Sequence, residues 1–163
     1  MKTAVYAGSF DPFTEGHCDI MCRAAQLFDK LYIAVLVNSN KREVFTMSER
    51  KAMIEAVIRD VGLDNTEVVA SQGLLVEYAA KIGAEFIVRG IRSASELDYE
   101  LTLERANKHL DSDIETVYLL ASADKAHISS SMVREIASYN GKIDGLVPQT
   151  IKTMIAERLN NDE

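Results

Sequence analysis

The run LYIAVLV at residues 31–37 is apolar at every position. A strand with one face in water alternates between apolar and polar residues. An unbroken apolar run fits a strand covered on both faces, as in a parallel sheet. Four other short runs have strand character: KTAVYA (2–7), EVVA (67–70), EFIV (85–88) and ETVYLL (115–120). Helical spacing separates them. Ile20, Ala24, Leu27 and Phe28 recur over 16–29. Thr46 and Glu49 have the spacing of a capping box, opening a helix through Met53, Val57 and Val61 that stops at Gly62. Leu75, Tyr78, Ala79 and Ile82 lie between Gly73 and Gly83. A second capping box, Ser93 with Glu96, precedes a stripe of Tyr99, Leu103, Ala106 and Leu110. Two further helices follow, one with Val133, Ile136 and Ala137, the other opening on Pro148 and carrying Ile151, Ile155 and Leu159. Strand and helix alternate throughout, which predicts an α/β fold with a doubly wound five-stranded parallel sheet, as a single domain over 1–163. The apolar stripes are expected to be core.

Composition narrows the class. The chain is 47% hydrophobic and 26% charged, an ordinary globular balance, and its net charge of −7 argues against a general nucleic-acid binder. No apolar run approaches the roughly 20 residues of a membrane helix, and Lys2 leads straight into a strand rather than a leader pattern, so a cytoplasmic protein is expected. Cys18 and Cys22 stand four apart, neither a redox pair nor a metal set, and read as small apolar thiols.

The stretch VYAGSFDPFTEGH (5–17) runs from a strand through a glycine loop to a helix start, which offers free backbone amides to an anion. It carries Ser9, Asp11 and His17. In an open parallel sheet, ligands bind beyond the carboxyl ends of the strands, where strand order reverses. There the sequence places Lys41 and Arg42 after the second strand, Arg89 and Arg92 after the fourth, and Lys125, His127, Ser129, Ser130, Ser131 and Arg134 after the fifth. An acidic chain thus gathers cations and hydroxyls on one rim, a composition suited to polyphosphate. Taken singly, several of these have plainer roles: Lys41 and Arg42 as a solvated loop, Arg89 as the partner of a carboxylate, Ser129 as a helix cap. Asp11 reads as a brace for its loop.

Two motifs resemble a known family. Gly8-Ser-Phe-Asp-Pro-Phe-Thr-Glu-Gly-His17 is similar to the first signature of the nucleotidylyltransferase superfamily, and Ile128-Ser-Ser-Ser-Met-Val-Arg134 to its second. Phe45-Thr46 with Glu49-Arg50, Gly73-Leu-Leu75, Arg89-Gly-Ile-Arg92 and Tyr99-Glu100 resemble bacterial phosphopantetheine adenylyltransferase, over nearly the whole chain. The resemblance implies a Rossmann-like nucleotidylyltransferase fold and transfer of the adenylyl group of ATP to 4′-phosphopantetheine. The products are dephospho-coenzyme A and pyrophosphate, at the penultimate step of coenzyme A synthesis. It implies His17, Lys41 and Arg92 as catalytic residues. The ATP side would comprise Ser9, Phe10, His17, Gly90, Ile91, Arg92, Glu100, Lys125, Ala126, His127, Ile128, Ser129, Ser130 and Ser131. The phosphopantetheine side would comprise Ser9, Lys41, Leu75 and Arg89. Mg²⁺ is the implied cofactor, bound through phosphates without a protein metal site. A homohexamer built as a dimer of trimers and feedback by coenzyme A are implied too.

The chemistry suits these residue types independently. A phosphate nucleophile is already ionised at neutral pH, so positioning and charge stabilisation remain to be supplied, with no general base or covalent intermediate. Leu97 and His127 depart from the family's aromatic pattern, which bears on adenine and ribose contacts. Two other readings share the motifs: transfer to another acceptor such as nicotinate mononucleotide or a cytidylyltransferase substrate, and a non-catalytic nucleotide-binding module.

Overall fold

The computed structural model describes residues 1–37 and 42–160. Its elements are β1 (Thr3–Gly8), α1 (Glu15–Leu27), β2 (Lys30–Leu36), α2 (Met47–Val61), β3 (Thr66–Ser71), α3 (Leu75–Ile82), β4 (Phe86–Ile91), α4 (Ala94–Leu110), β5 (Glu115–Leu120), α5 (Ser130–Ser138) and α6 (Gln149–Asn160). The five strands form one parallel sheet in the order β3-β2-β1-β4-β5. Strand order reverses between β1 and β4, and the crevice beyond their carboxyl ends is where a doubly wound sheet binds its ligand.

Side-chain alternation builds two cores. Ala4 and Tyr6 of β1, with Leu31, Ile33 and Val35 of β2, join a cluster with residues of α1, α2, α5 and α6. Val5, Ala7 and Ala34 point the other way and pack with Val76 and Ala79 of α3. The run at residues 31–37 is apolar throughout because β2 is covered on both faces. Leu31, Ile33 and Val35 are fully buried, each contributing about 1.5–3 kcal/mol of transfer free energy. Helix α2 begins and ends where its sequence dictates. Thr46 Oγ1 accepts from the Glu49 amide at 3.2 Å, Thr46 N donates to Glu49 Oε2 at 2.7 Å, and Gly62 closes the helix at φ +72°.

Five sequence expectations are corrected. Strand β4 does not stop at Val88 but carries Arg89, Gly90 and Ile91 in register with Tyr118, Leu119 and Leu120. An arginine stays in the ladder because it has an internal carboxylate partner. The Ser93 box is only half formed: Ser93 Oγ accepts from the Glu96 amide, but the Glu96 carboxylate turns back to the amide and guanidinium of Arg92. The α4 stripe is not core within the chain. Tyr99 and Leu110 are 65% and 54% exposed, Ala106 is exposed, and the buried residue of α4 is Glu100. Finally, α1 starts at Glu15 with Thr14 as its cap, and Pro148 precedes α6 rather than opening it.

Candidate active site

A cleft of about 530 Å³ opens where the sheet order reverses. Its walls come from the end of β1 and the following loop (Tyr6, Gly8, Ser9, Phe10), from α1 (His17, Ile20), from β4 and the start of α4 (Arg89, Arg92, Glu96, Glu100), and from the 128–131 segment.

The loop after β1 is held from three sides. Both Asp11 carboxylate oxygens accept backbone amides, Oδ2 from Val44 at 2.9 Å and Oδ1 from Phe45 at 2.8 Å, and the residue is 6% exposed. Asp11 is therefore the brace its sequence position suggests. The Arg134 guanidinium donates to the Asp11 carbonyl, and Ser130 Oγ to the Pro12 carbonyl at 2.8 Å. Arg50, completely buried, donates to the Ser9 carbonyl at 2.7 Å. Phe10 sits at φ +48°, a conformation few bulky residues adopt, and its ring fills the space beside Gly8. A Cβ on Gly8 would meet that ring at 3.0 Å, so any larger residue there has to displace the Phe10 ring.

His17 is the third residue of α1, and its ring closes the cap. Thr14 N donates to His17 Nδ1 at 3.1 Å, while His17 N donates to Thr14 Oγ1 at 3.3 Å. An Nδ1 that accepts from an amide carries no proton, so the neutral ring bears its hydrogen on Nε2. Phe10 meets the ring edge-on at 5.0 Å and Phe13 packs against it at 5.5 Å. Burial first, then the positive charges of Arg92 and Arg89, lower the His17 pKa from 6.5 to about 3. The imidazole is thus a neutral hydrogen-bond donor at working pH and not a proton shuttle.

Three of the expected cations, Arg89, Arg92 and Lys125, each have a carboxylate partner. Arg89 forms a two-point pair with Glu100 (Nε to Oε2 2.7 Å, Nη2 to Oε1 2.6 Å) and donates to the Ala7 carbonyl at 2.7 Å. Arg92 pairs with Glu96 and donates to the Ile128 carbonyl at 2.9 Å. Lys125 reaches Glu15 at 3.2 Å. Ser129 caps α5 by accepting from Met132 N at 3.1 Å, and Ser130 and Ser131 line the cleft beside it.

Of the residues chosen from sequence, Ser9, Phe10, His17, Arg89, Gly90, Arg92, Glu100, Ile128, Ser129, Ser130 and Ser131 share the cleft wall. Ile91, Leu75, Lys125, Ala126 and His127 are not in that wall. Ile91 is buried in β4, Leu75 packs under the second core cluster, and His127 is exposed. Lys41 lies outside the described residues. Cys18 and Cys22 are free thiols with sulfurs 4.0 Å apart, and hydrogen bonding to Cys22 together with burial pushes the Cys18 thiol far up, so it is no nucleophile.

The sequence reading missed Tyr6, Ile20, Ser95, Glu96 and Tyr99 in the wall, and Arg50 and Asp19 behind it. Arg50 had a signal. It falls on the same helical stripe as Met53, Ile54, Val57 and Ile58, an apolar face where an unpartnered arginine would be costly. Asp19 accepts from Ser122 Oγ at 3.0 Å and from Arg23 at 3.1 Å, fixing the loop after β5 against α1. Gly90 lets β4 approach α1, since a Cβ there would meet Ile20 Cγ1 at 3.0 Å.

Comparison with known proteins gives the family and the fold. The cytidylyltransferase-like family model matches residues 5–136. The chain is 44% identical to the phosphopantetheine adenylyltransferase of Lachnoclostridium phytofermentans over 160 residues, covering 98% of this chain and 97% of that one. It is 46% identical to the Staphylococcus carnosus protein of the same name, over 95% of each chain. In fold it superimposes on a putative nicotinate-nucleotide adenylyltransferase from Vibrio parahaemolyticus with a TM-score of 0.74, at 16% identity, covering 100% of this chain and 98% of that one. The chain is a nucleotidyltransferase of the cytidylyltransferase-like family and belongs, within it, to the phosphopantetheine adenylyltransferases.

Proposed function

We propose that this chain transfers the adenylyl group of ATP to 4′-phosphopantetheine by direct in-line attack. The bond from the acceptor's phosphate oxygen to the α-phosphorus forms as the bond to the pyrophosphate oxygen breaks, without a covalent enzyme intermediate. The observation that carries this reading is the His17 ring. With Nδ1 engaged by the Thr14 amide, its remaining polar group is an Nε2 donor that stays neutral at working pH. That group stabilises charge growing on an α-phosphate oxygen without competing for protons.

In this proposal Arg92 and the Ser129, Ser130 and Ser131 segment hold the ATP phosphates, Ser9 serves both substrates, and Arg89 exchanges part of its pairing with Glu100 for the acceptor's phosphate. Lys41 completes the catalytic set. No group of three or more His, Cys, Asp or Glu side chains converges among the described residues, and the Asp11 carboxylate already accepts two amides. With hydroxyls and no carboxylate cluster in the cleft among the described residues, a bound Mg²⁺ would be held chiefly by phosphate oxygens and water. When bound, the ion neutralises phosphate charge.

The exposed apolar residues Tyr99 and Leu110 of α4 and Leu120 at the end of the edge strand β5 support assembly. We propose the hexamer, a dimer of trimers, and feedback by coenzyme A at the acceptor side of the cleft. No described helix is long and apolar enough to cross a membrane. A cytoplasmic location, where ATP and the acceptor meet, goes with the proposal.

A panel of acceptors tests the reading. Pyrophosphate release from ATP and Mg²⁺ is expected with 4′-phosphopantetheine and not with nicotinate mononucleotide or a cytidylyltransferase substrate. Release only with one of the others overturns it.

A further inference from the structure

Tyr6 is 5% exposed and lines the cleft. Its ring packs in the larger core cluster and meets Phe10 edge-on at 5.3 Å. Its hydroxyl has no hydrogen-bond partner among the described residues. Burying a hydroxyl without a partner is costly, and a phenylalanine would fill the same space without that cost. The Ser71 hydroxyl is also unpartnered, but it is sealed from solvent. The Tyr6 hydroxyl is not sealed, and the surface it keeps opens into the cleft. A tyrosine here is explained by a ligand that supplies the missing partner.

Strand alternation tells which side of the cleft this hydroxyl serves. Tyr6 is in register with Val88, and both belong to the core cluster that includes α1. Gly90 follows on the same face, where a Cβ would meet Ile20 of α1. Arg89 takes the opposite face, toward Glu100 of α4. The α1 side holds His17, which, like Tyr6, meets Phe10 edge-on, at 5.0 Å. Burial pushes the Tyr6 pKa above its usual range, against the opposing pull of Arg89 and Arg92. The phenol therefore keeps its proton and is a neutral donor, in a positive field that favours an anionic acceptor.

We propose that Tyr6 is a further ligand-contacting residue of the nucleotide side, its hydroxyl donating to an oxygen of the ATP phosphates on the His17 side of the cleft. It adds a donor without adding charge, and binding of the nucleotide satisfies a group that the empty protein leaves unpaired. This rests on the adenylyl-transfer reading above.

Tyr6→Phe tests it, because the substitution removes the hydroxyl and keeps the ring. Calorimetric affinity for ATP with Mg²⁺, without acceptor, is read beside the affinity for adenosine, KM for the acceptor, and thermal unfolding. Expected is a roughly tenfold weaker ATP affinity, with adenosine affinity and acceptor KM within about twofold, and a melting temperature equal to or above that of the unsubstituted protein. An ATP affinity changed by less than about twofold overturns the proposal. So does an equal loss for adenosine, which would put the contact on the ribose or the base. A lower melting temperature overturns it as well, since the hydroxyl would then have its partner within the protein. If the unsubstituted protein uses a different acceptor, the parent reading falls, and ATP binding without acceptor still decides the role of Tyr6.

Discussion

Thr14 N donates to His17 Nδ1 at 3.1 Å, so the cap of α1 and the tautomer of its histidine are one interaction. The first turn of the helix cannot form in this geometry without presenting Nε2–H as the ring's free donor. A local folding requirement thereby sets up a group for phosphate chemistry.

His17→Ala removes that donor while leaving the arginines and serines in place. We expect turnover to fall by roughly 10²–10³-fold with ATP affinity retained within a few-fold, the pattern of a group acting mainly in the transition state. Rapid-quench turnover with calorimetric ATP binding checks it. Equal losses in both would make His17 a binding residue.

The same ring makes a pH prediction. Its pKa is lowered from 6.5 to about 3, so between those values the unfolded chain binds a proton that the folded chain does not. The stability that comes from holding the ring neutral is therefore fully present above pH 6.5 and is lost as pH falls toward 3. Urea unfolding of the unsubstituted protein and of His17→Gln across this window should show a difference that narrows as pH falls. The His17 ring resonances should stay flat between about pH 5 and pH 8.

Asp11→Ala leaves the Val44 and Phe45 amides without their acceptor at a site with little access to water. A loss of about 2–3 kcal/mol in unfolding free energy is expected. Because the tie joins both substrate loops, kcat/KM should fall as well. Activity unchanged at matched folded fraction would mean the brace serves stability alone.

Glu100→Ala strands the Arg89 guanidinium, which is a quarter exposed and opens toward the cleft. A cost of about 2–3 kcal/mol is expected, below that of a fully buried pair because solvent reaches the rim. Pyrophosphate should raise the melting temperature of the variant more than that of the unsubstituted protein. An equal shift in both would argue that Arg89 does not meet anions.

Most of the fold was legible because its strands are apolar runs and its helices carry caps and spacing. What the sequence could not convey was which face meets which partner. Tyr99, Leu103, Ala106 and Leu110 keep perfect helical spacing, yet α4 flanks the edge of the sheet and much of that stripe faces outward. Periodicity reports that a face is apolar and says nothing of whether its cover lies in the same chain. On the hexamer proposed above, sedimentation at micromolar protein should give the mass of six chains, and a monomer would contradict that proposal. In the site, the glycine loop and the serine run were readable as motifs. The carboxylate partners Glu96 and Glu100, and the bridging Arg50, depend on segments far apart in sequence. Glu100 lines the cleft and pairs there with Arg89.

The most direct measurement follows the phosphorus atoms of ATP. With label at the α-phosphorus, the protein, Mg²⁺ and 4′-phosphopantetheine, the account predicts that label passes to dephospho-coenzyme A, that label at the γ-phosphorus appears only in pyrophosphate, and that none stays on the protein after denaturation. Label from the γ-phosphorus in the acceptor product, or α-label retained on the protein, would contradict direct adenylyl transfer.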